Sequence, residues 1–299
     1  MIIRTILAKG YQLQNIQEKL IELLSESKTG MSGIEIAQKL KINRATMAKY
    51  LNILAAEGII KQKNIGNAHL WFIEFGTEKL EFPADYFRVK EKFFEHLIAN
   101  QHQQAQSLIR SSFHSGAEIA TLISEVILPA IASLEDLYLK AKIGTSEAKM
   151  LHGIISNSIQ ILNPQNEPDP KRNVILLSAD SSSLLYSQAA SSSLAAKGWQ
   201  VWHVGDVSDA IDVLYDLDLQ KFVTKVWKQK QGAMIIAIFS ASEEGTKFFS
   251  ESASSIKPKF GKNLHVVVHS RAQKQTTKAE FTSDKFDAVI QYIESIIGL

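Results

Sequence analysis

The residues with chemistry to offer fall into two groups. Asp180, Ser181 and Ser182 follow the apolar run 174–177, Ser240 and Ser242 follow the run 233–239, and His269 follows the run 264–268. A carboxylate, hydroxyls and an imidazole at the carboxyl ends of apolar strands stand where a parallel sheet opens its ligand crevice. Two readings are open for them: a polar pocket for a small ligand, or helix caps that satisfy backbone N–H groups. The second group is Asn43, Arg44, Thr46, Lys49, Tyr50, Lys61, Lys63 and Asn67, close together near the N-terminus. Amide, guanidinium, hydroxyl and ammonium donors in that density suit a polyanion.

Catalytic signatures are missing from the sequence. It contains no Gly-x-x-x-x-Gly-Lys-Ser/Thr, no Gly-x-Ser-x-Gly, and no Gly-x-Gly-x-x-Gly after a strand. There is no cysteine, which removes thiol nucleophiles, cysteine zinc sites, iron–sulfur clusters and disulfides together. His152 and His203 lack the His/Asp/Glu spacing of a metal site on one helix face and read as structural. Glu118 and Glu125 read as solvated helix charges. The expectation is a protein that is not an enzyme and holds no metal.

The elements that must position these residues divide into three segments. Residues 1–76 alternate short helical patterns and end in a hairpin: an amphipathic stretch over 16–24, a helix opened by Ser32, a brief break at 41–43, and a third helix over 44–54. Runs 59–65 and 68–75 then flank the two-residue turn Gly66-Asn67. Residues 84–163 are helical in pattern with one interior proline, Pro129. Three prolines within 163–170 mark an extended connector. From 172 to 299 apolar runs alternate with helical patterns, which predicts βαβ units and an open, doubly wound parallel sheet covered on both faces. The expected fold is multidomain: an α+β winged helix, an all-α segment and an α/β parallel-sheet segment, which the resemblance described below implies to be a four-helix cap and a flavodoxin-like (Rossmann-like) domain with a five-stranded parallel sheet.

Charge supports a nucleic-acid reading of the first segment. Residues 1–75 carry ten Lys/Arg and six acids, so that segment is +4 and the remainder −2. The excess lies at the turn, the start of the third helix and the hairpin. The first two turns of a helix in the major groove face base edges, and those turns hold Asn43, Arg44, Thr46 and Lys49; Tyr50 is placed to reach a phosphate, with Lys61, Lys63 and Asn67 on the wing.

The cadence Ala37, Leu40, Ile42, Thr46, Met47, Leu51, Leu54, Gly58, Ile59, Ile60 resembles the winged helix-turn-helix transcription regulators over residues 15–75. A second resemblance covers about 85–299. Gly116, Ile123, Ile127, Pro129 and Ala130 are similar to the four-helix cap of cobalamin-binding modules. Residues 195–207 and 238–242 look like strands and turns of the Rossmann-like domain that follows such a cap.

The ligand positions depart from that family. Its Asp-x-His-x-x-Gly stretch, in which the histidine ligates cobalt, reads Asp180-Ser181-Ser182-Ser183-Leu184-Leu185 here. The cap's tryptophan and Glu-His pair correspond to Tyr138, Ala148 and Lys149, and the paired glycines after the fourth strand to His269-Ser270. The resemblance adds Tyr138 to the pocket group and implies no cofactor bound through a histidine, since Ser182 replaces it; cobalamin or another small ligand stays open.

The resulting expectation is a transcription regulator similar to cobalamin-dependent photoreceptor-type repressors. Its partners would be double-stranded DNA, a second copy or higher homo-oligomer, and a small-molecule or protein effector. The alternative is a protein-interaction scaffold with a vestigial pocket. Apolar stretches too short for a bilayer and an N-terminus without a signal pattern add a cytoplasmic expectation with no membrane partner.

Overall fold

The computed structural model describes residues 13–25, 27, 30–56, 59–65, 68–73, 80–162, 164, 167–212, 214–228, 231–273 and 277–296. It divides into two compact units, residues 1–80 and 81–299. The cap and the βα half, expected as separate domains over 84–163 and 172–299, lie in one unit.

The first unit runs α1 (Leu13–Ser25), β1 (Met31–Ser32), α2 (Gly33–Lys39), α3 (Arg44–Ala56), β2 (Ile60–Ile65) and β3 (Ala68–Ile73). Its antiparallel sheet has the order β1-β3-β2, the winged-helix arrangement. The two-residue strand β1 has no sequence signal; it exists because Met31 and Ser32 pair with Trp71 and Leu70. Ser32 opens α2 through a capping box: its hydroxyl accepts from the Glu35 N–H and the Glu35 carboxylate accepts from the Ser32 N–H.

The end of α2 is a Schellman turn. The Ile42 N–H reaches the Ala37 carbonyl at 3.0 Å and the Lys41 N–H reaches Gln38 at 3.2 Å, with Lys41 in the left-handed region at φ 54°. Glycine is the usual residue there, and a lysine costs about 1 kcal/mol of backbone strain. The reversal is tight enough to set α3 across α2. Buried Met47, Leu51 and Leu54 seat one stripe of α3 on a core shared with Leu20, Ile36 and Trp71. The opposite stripe is left to solvent. The Gly66-Asn67 turn and the segment 74–79 lie outside the described residues.

The second unit opens with the cap: α4 (Tyr86–Ile98), α5 (His102–His114), α6 (Ile119–Leu122), α7 (Leu128–Leu139) and α8 (Thr145–Ile161). A π-helical turn, Ile123–Ile127, joins α6 to α7 into one long interrupted helix, which makes four helical rods. Pro129 stands in the first turn of α7, just after the π turn. A proline has no N–H to donate back along the helix, and the looser turn before it absorbs that defect.

The βα half follows with β4 (Asp169–Ser178), α9 (Leu184–Ala196), β5 (Trp199–Asp206), α10 (Tyr215–Val226), β6 (Ala233–Ser240), α11 (Glu243–Phe260), β7 (Leu264–Ser270), β8 (Phe281–Ser283) and α12 (Phe286–Ser295). The extended connector was expected to run to Pro170, but Asp169 already pairs with Trp199, so the first strand starts five residues before the apolar run 174–177 that marks it. The five strands are parallel in the order β5-β4-β6-β7-β8, which is the flavodoxin-like order. The long apolar runs of β4, β6 and β7 are buried nearly throughout. One face packs α10 and α11 through Tyr215, Leu219, Val223, Phe249 and Ala253; the other packs α9, which also carries α6, α7 and α8 of the cap.

Phe249 is fully buried and sits edge-on to both Tyr215 and Phe248. Phe249→Ala is expected to cost about 3–5 kcal/mol in urea denaturation of the full chain. A loss below about 1 kcal/mol would contradict this packing.

Candidate functional sites

The exposed stripe of α3 carries most of the first residue group. Arg44, Thr46 and Lys49 are all solvent-exposed on its first two turns, while Met47 between them is buried. Asn43 is exposed as well, but its side-chain oxygen accepts from the Ala45 N–H at 2.9 Å. It caps the helix. Tyr50 is half-buried against the core, with its ring as a packing surface. On the wing, Lys61 and Lys63 are exposed on β2, two residues apart and hence on one face. His69 and Asn64 pair across the hairpin at 2.6 Å. Asn67 lies outside the described residues. The structure therefore presents Arg44, Thr46, Lys49, Lys61 and Lys63 on the surface of one small unit.

The second group gathers at the point where the sheet changes direction. β4 lies between β5 and β6, so the connections from β4 and from β6 leave on opposite faces and their carboxyl ends part. Asp180 stands there. Its Oδ1 accepts from the Ser182 hydroxyl at 2.7 Å and the Ser183 N–H at 2.9 Å; its Oδ2 accepts from the Ala241 N–H at 2.7 Å and lies 3.2 Å from the Ser240 hydroxyl. Burial pushes this carboxyl up, but the hydrogen bonds from Ser182, Ala241, Ser183 and Ser240 outweigh it and hold the pKa below the ordinary value. Asp180 is an ionised bracket between two strand ends.

The serines divide by role. Ser240 is fully buried under Asp180, and Ser242 caps α11 by accepting from the Gly245 N–H at 3.1 Å. A Cβ on Gly245 would lie 2.7 Å from the Ser242 hydroxyl and 3.0 Å from Ala179, so only glycine lets α11 start this close to β4. Ser181 and Ser182 are exposed. Most of the group is thus engaged in capping and bracketing. Tyr138 stands apart: it is exposed at the end of α7, its hydroxyl 3.4 Å from Thr145.

Three residues that the sequence reading missed lie over this crevice. Arg271, directly after β7, places Nη1 2.7 Å from both oxygens of Glu135 on α7, and donates from Nη2 to the Ser182 carbonyl at 3.0 Å. Its guanidinium lies 4.3 Å above the Tyr186 ring, and the Tyr186 hydroxyl donates to Glu135 at 3.2 Å. Burial first, and then the Glu135 charge, push the Tyr186 phenol up to about 12, so it stays a donor. The cap helix is tied to the end of β7 by a partly buried ion pair and to α9 by the Tyr186 hydrogen bond, while the stack on Tyr186 and the bond to Ser182 hold Arg271 in place. The only sequence signal was an arginine immediately after the His269-Ser270 pair.

That latch bears on cobalamin. The Ser182 hydroxyl, where the resemblance places a histidine, is committed to Asp180. Leu185, where it places a glycine, is buried in α9. A hydroxyl already given to a carboxylate offers cobalt no imidazole. Among the described residues no cluster of His, Asp and Glu is placed to hold a metal ion, and no helix is long and apolar enough to cross a membrane.

His269 is buried beneath the latch, stacked on Tyr186 and packed against Phe239 and Phe286. Burial, with the Arg271 charge adding to it, lowers its pKa to about 4. The unfolded chain takes up this proton near pH 6.5, the folded chain only near pH 4, so stability is lost as pH falls through that window. Melting experiments should show a loss of up to about 1.4 kcal/mol per pH unit between those limits, absent from His269→Gln. Equal pH slopes in the two proteins would refute the buried neutral imidazole.

Residues 16–66 match the family described as HTH domain. None of the curated proteins matches the chain. Among solved structures, the monomethylamine corrinoid protein of Methanosarcina barkeri is similar at 14% identity and TM-score 0.54, covering 70% of this chain and 98% of that one. A cobalamin-binding protein from Desulfitobacterium hafniense DCB-2 matches at 11% identity over 70% of this chain and 98% of its own, with TM-score 0.36. The methanol:cobalamin methyltransferase complex of M. barkeri matches at 15% over 75% and 84%, also with TM-score 0.36. The chain joins an N-terminal helix-turn-helix domain to a helical cap and five-stranded parallel sheet with the fold of a corrinoid protein.

Proposed function

We propose that this chain is a DNA-binding transcription regulator, not an enzyme, whose C-terminal half senses a signal or mediates oligomerisation without histidine-ligated cobalamin. The observation that carries the reading is the exposed stripe of α3, with Arg44, Thr46 and Lys49 on its first two turns and Lys61 and Lys63 on the neighbouring wing strand. A helix of this kind enters the major groove by its N-terminal residues, and the wing lies along the backbone. Arg44 and Thr46 are assigned to base edges; Lys49, Lys61 and Lys63 to phosphates. Asn43 contributes its NH₂ group, and Tyr50 and Asn67 belong to the same proposed surface.

The C-terminal half shares its fold with a corrinoid protein, which makes cobalamin the first ligand to test. What favours its absence is the engagement of Ser182 by Asp180 and the Arg271–Glu135 pair over the crevice. We assign Asp180, Ser181, Ser182, Ser240, Ser242, His269 and Tyr138 to a candidate ligand pocket at these strand ends. The protein mixed with cobalamin should leave the cobalamin spectrum unchanged and pass through gel filtration without it. Co-elution of the two would overturn this part of the reading.

For the DNA-binding part, the purified chain is incubated with genomic fragments at two salt concentrations. Arg44→Ala should cost about 1–3 kcal/mol and relax the selection of bound sequences, whereas Lys49→Ala should weaken binding to all fragments and reduce the salt slope by about 1. Variants that bind as the wild type does would remove α3 from the interface.

A further inference from the structure

We infer that the outward face of α10, with the open edge of β5 beside it, is a two-fold interface between two copies of this chain. Among the described residues β5 pairs only with β4, and its other edge carries no strand. Around it the surface is apolar: Val204 is 46% exposed, Ile211 44%, Leu214 60% and Leu217 51%. Isolated exposed apolar side chains are ordinary, but four within one fourteen-residue segment are a concentration of them. Next to these knobs lies a groove of about 370 Å³ between the end of β5 and α10, floored by Val207, Ala210 and Phe222.

Knob and groove sit side by side on one surface, so neither can satisfy the other within a single copy. A second copy related by a two-fold axis supplies each with its complement, which is the property of an isologous interface.

The charges choose the same occupant. Asp209, Asp212 and Asp218 lie at the start of this face, Lys221 and Lys225 follow along the exposed side of α10, and Lys228 lies just beyond its end. Two such helices packed in parallel would set acid against acid. Packed antiparallel about a point between Leu219 and Gln220, they bring Asp218 of each copy beside Lys221 of the other. The same crossing lays Leu217 against Phe222 at the groove and Leu214 near the stem of Lys225. The polar rim around an apolar centre is the usual anatomy of such a contact.

The test is sedimentation equilibrium of the full chain without DNA, which keeps it independent of the proposed regulator role. The wild type should form a dimer. Leu217→Arg should weaken it by roughly 30-fold or more, the loss of one central anchor, with the melting temperature unchanged when both proteins are dilute enough to be monomeric, because the side chain is exposed. Asp218→Lys and Lys221→Asp should each weaken the dimer, and the two together should restore it. A wild-type chain that stays monomeric at about 100 μM, a dimer indifferent to Leu217→Arg, or a double swap weaker than both single swaps would overturn the interface.

Discussion

The βα half is organised around one half-buried charge. Asp180 stands where β4 and β6 part, and its two oxygens bind groups from both: Ser182 and Ser183 beyond β4, Ala241 and Ser240 at the end of β6. A carboxylate at this depth is tolerable because nearly all of its lone pairs are used. Gly245 brings the start of α11 onto the same spot. In a sheet of this order the parted strand ends would otherwise leave an open polar crevice. Here the crevice is knitted together from beneath by Asp180 and crossed from above by Arg271, Glu135 and Tyr186.

This closure explains why a fold shared with a corrinoid protein is read here as something other than a corrinoid carrier. The same sheet positions and the same cap are retained, and the groups that face the crevice bind one another. A partly buried ion pair adds little net stability, since desolvation offsets much of its attraction. Its effect is on geometry: it fixes the cap helix α7 over the strand ends.

Legibility in the sequence followed the range of the interactions. The winged helix was readable because its determinants are local: Ser32 and Glu35 three apart, the break at Lys41, the periodic Met47, Leu51 and Leu54. The parallel, doubly wound sheet followed from apolar runs alternating with helices. The short strand β1 was invisible because it is defined only by its partners in β3. The start of β4 was misplaced because Pro170 sits at its first residues, where a strand edge tolerates proline. At the crevice, the serines and Asp180 could be named from their places after strands. Glu135 and Arg271 could not: they are 136 residues apart in sequence and meet only once the cap is folded onto the sheet. Likewise Asn43 and Tyr50 were assigned outward roles from spacing alone, while helix capping and core packing claim part of each.

The central claim is that α3 reads sequence in a DNA duplex. The most direct measurement is selection by the full chain from a pool of random duplexes at physiological salt, followed by sequencing. The account predicts enrichment of a short motif, repeated with two-fold symmetry about one or two helical turns apart. Recovery of unenriched sequence, or of duplexes only at low salt, would mean that the basic surface of the winged helix attracts phosphate without reading bases, and would contradict the claim.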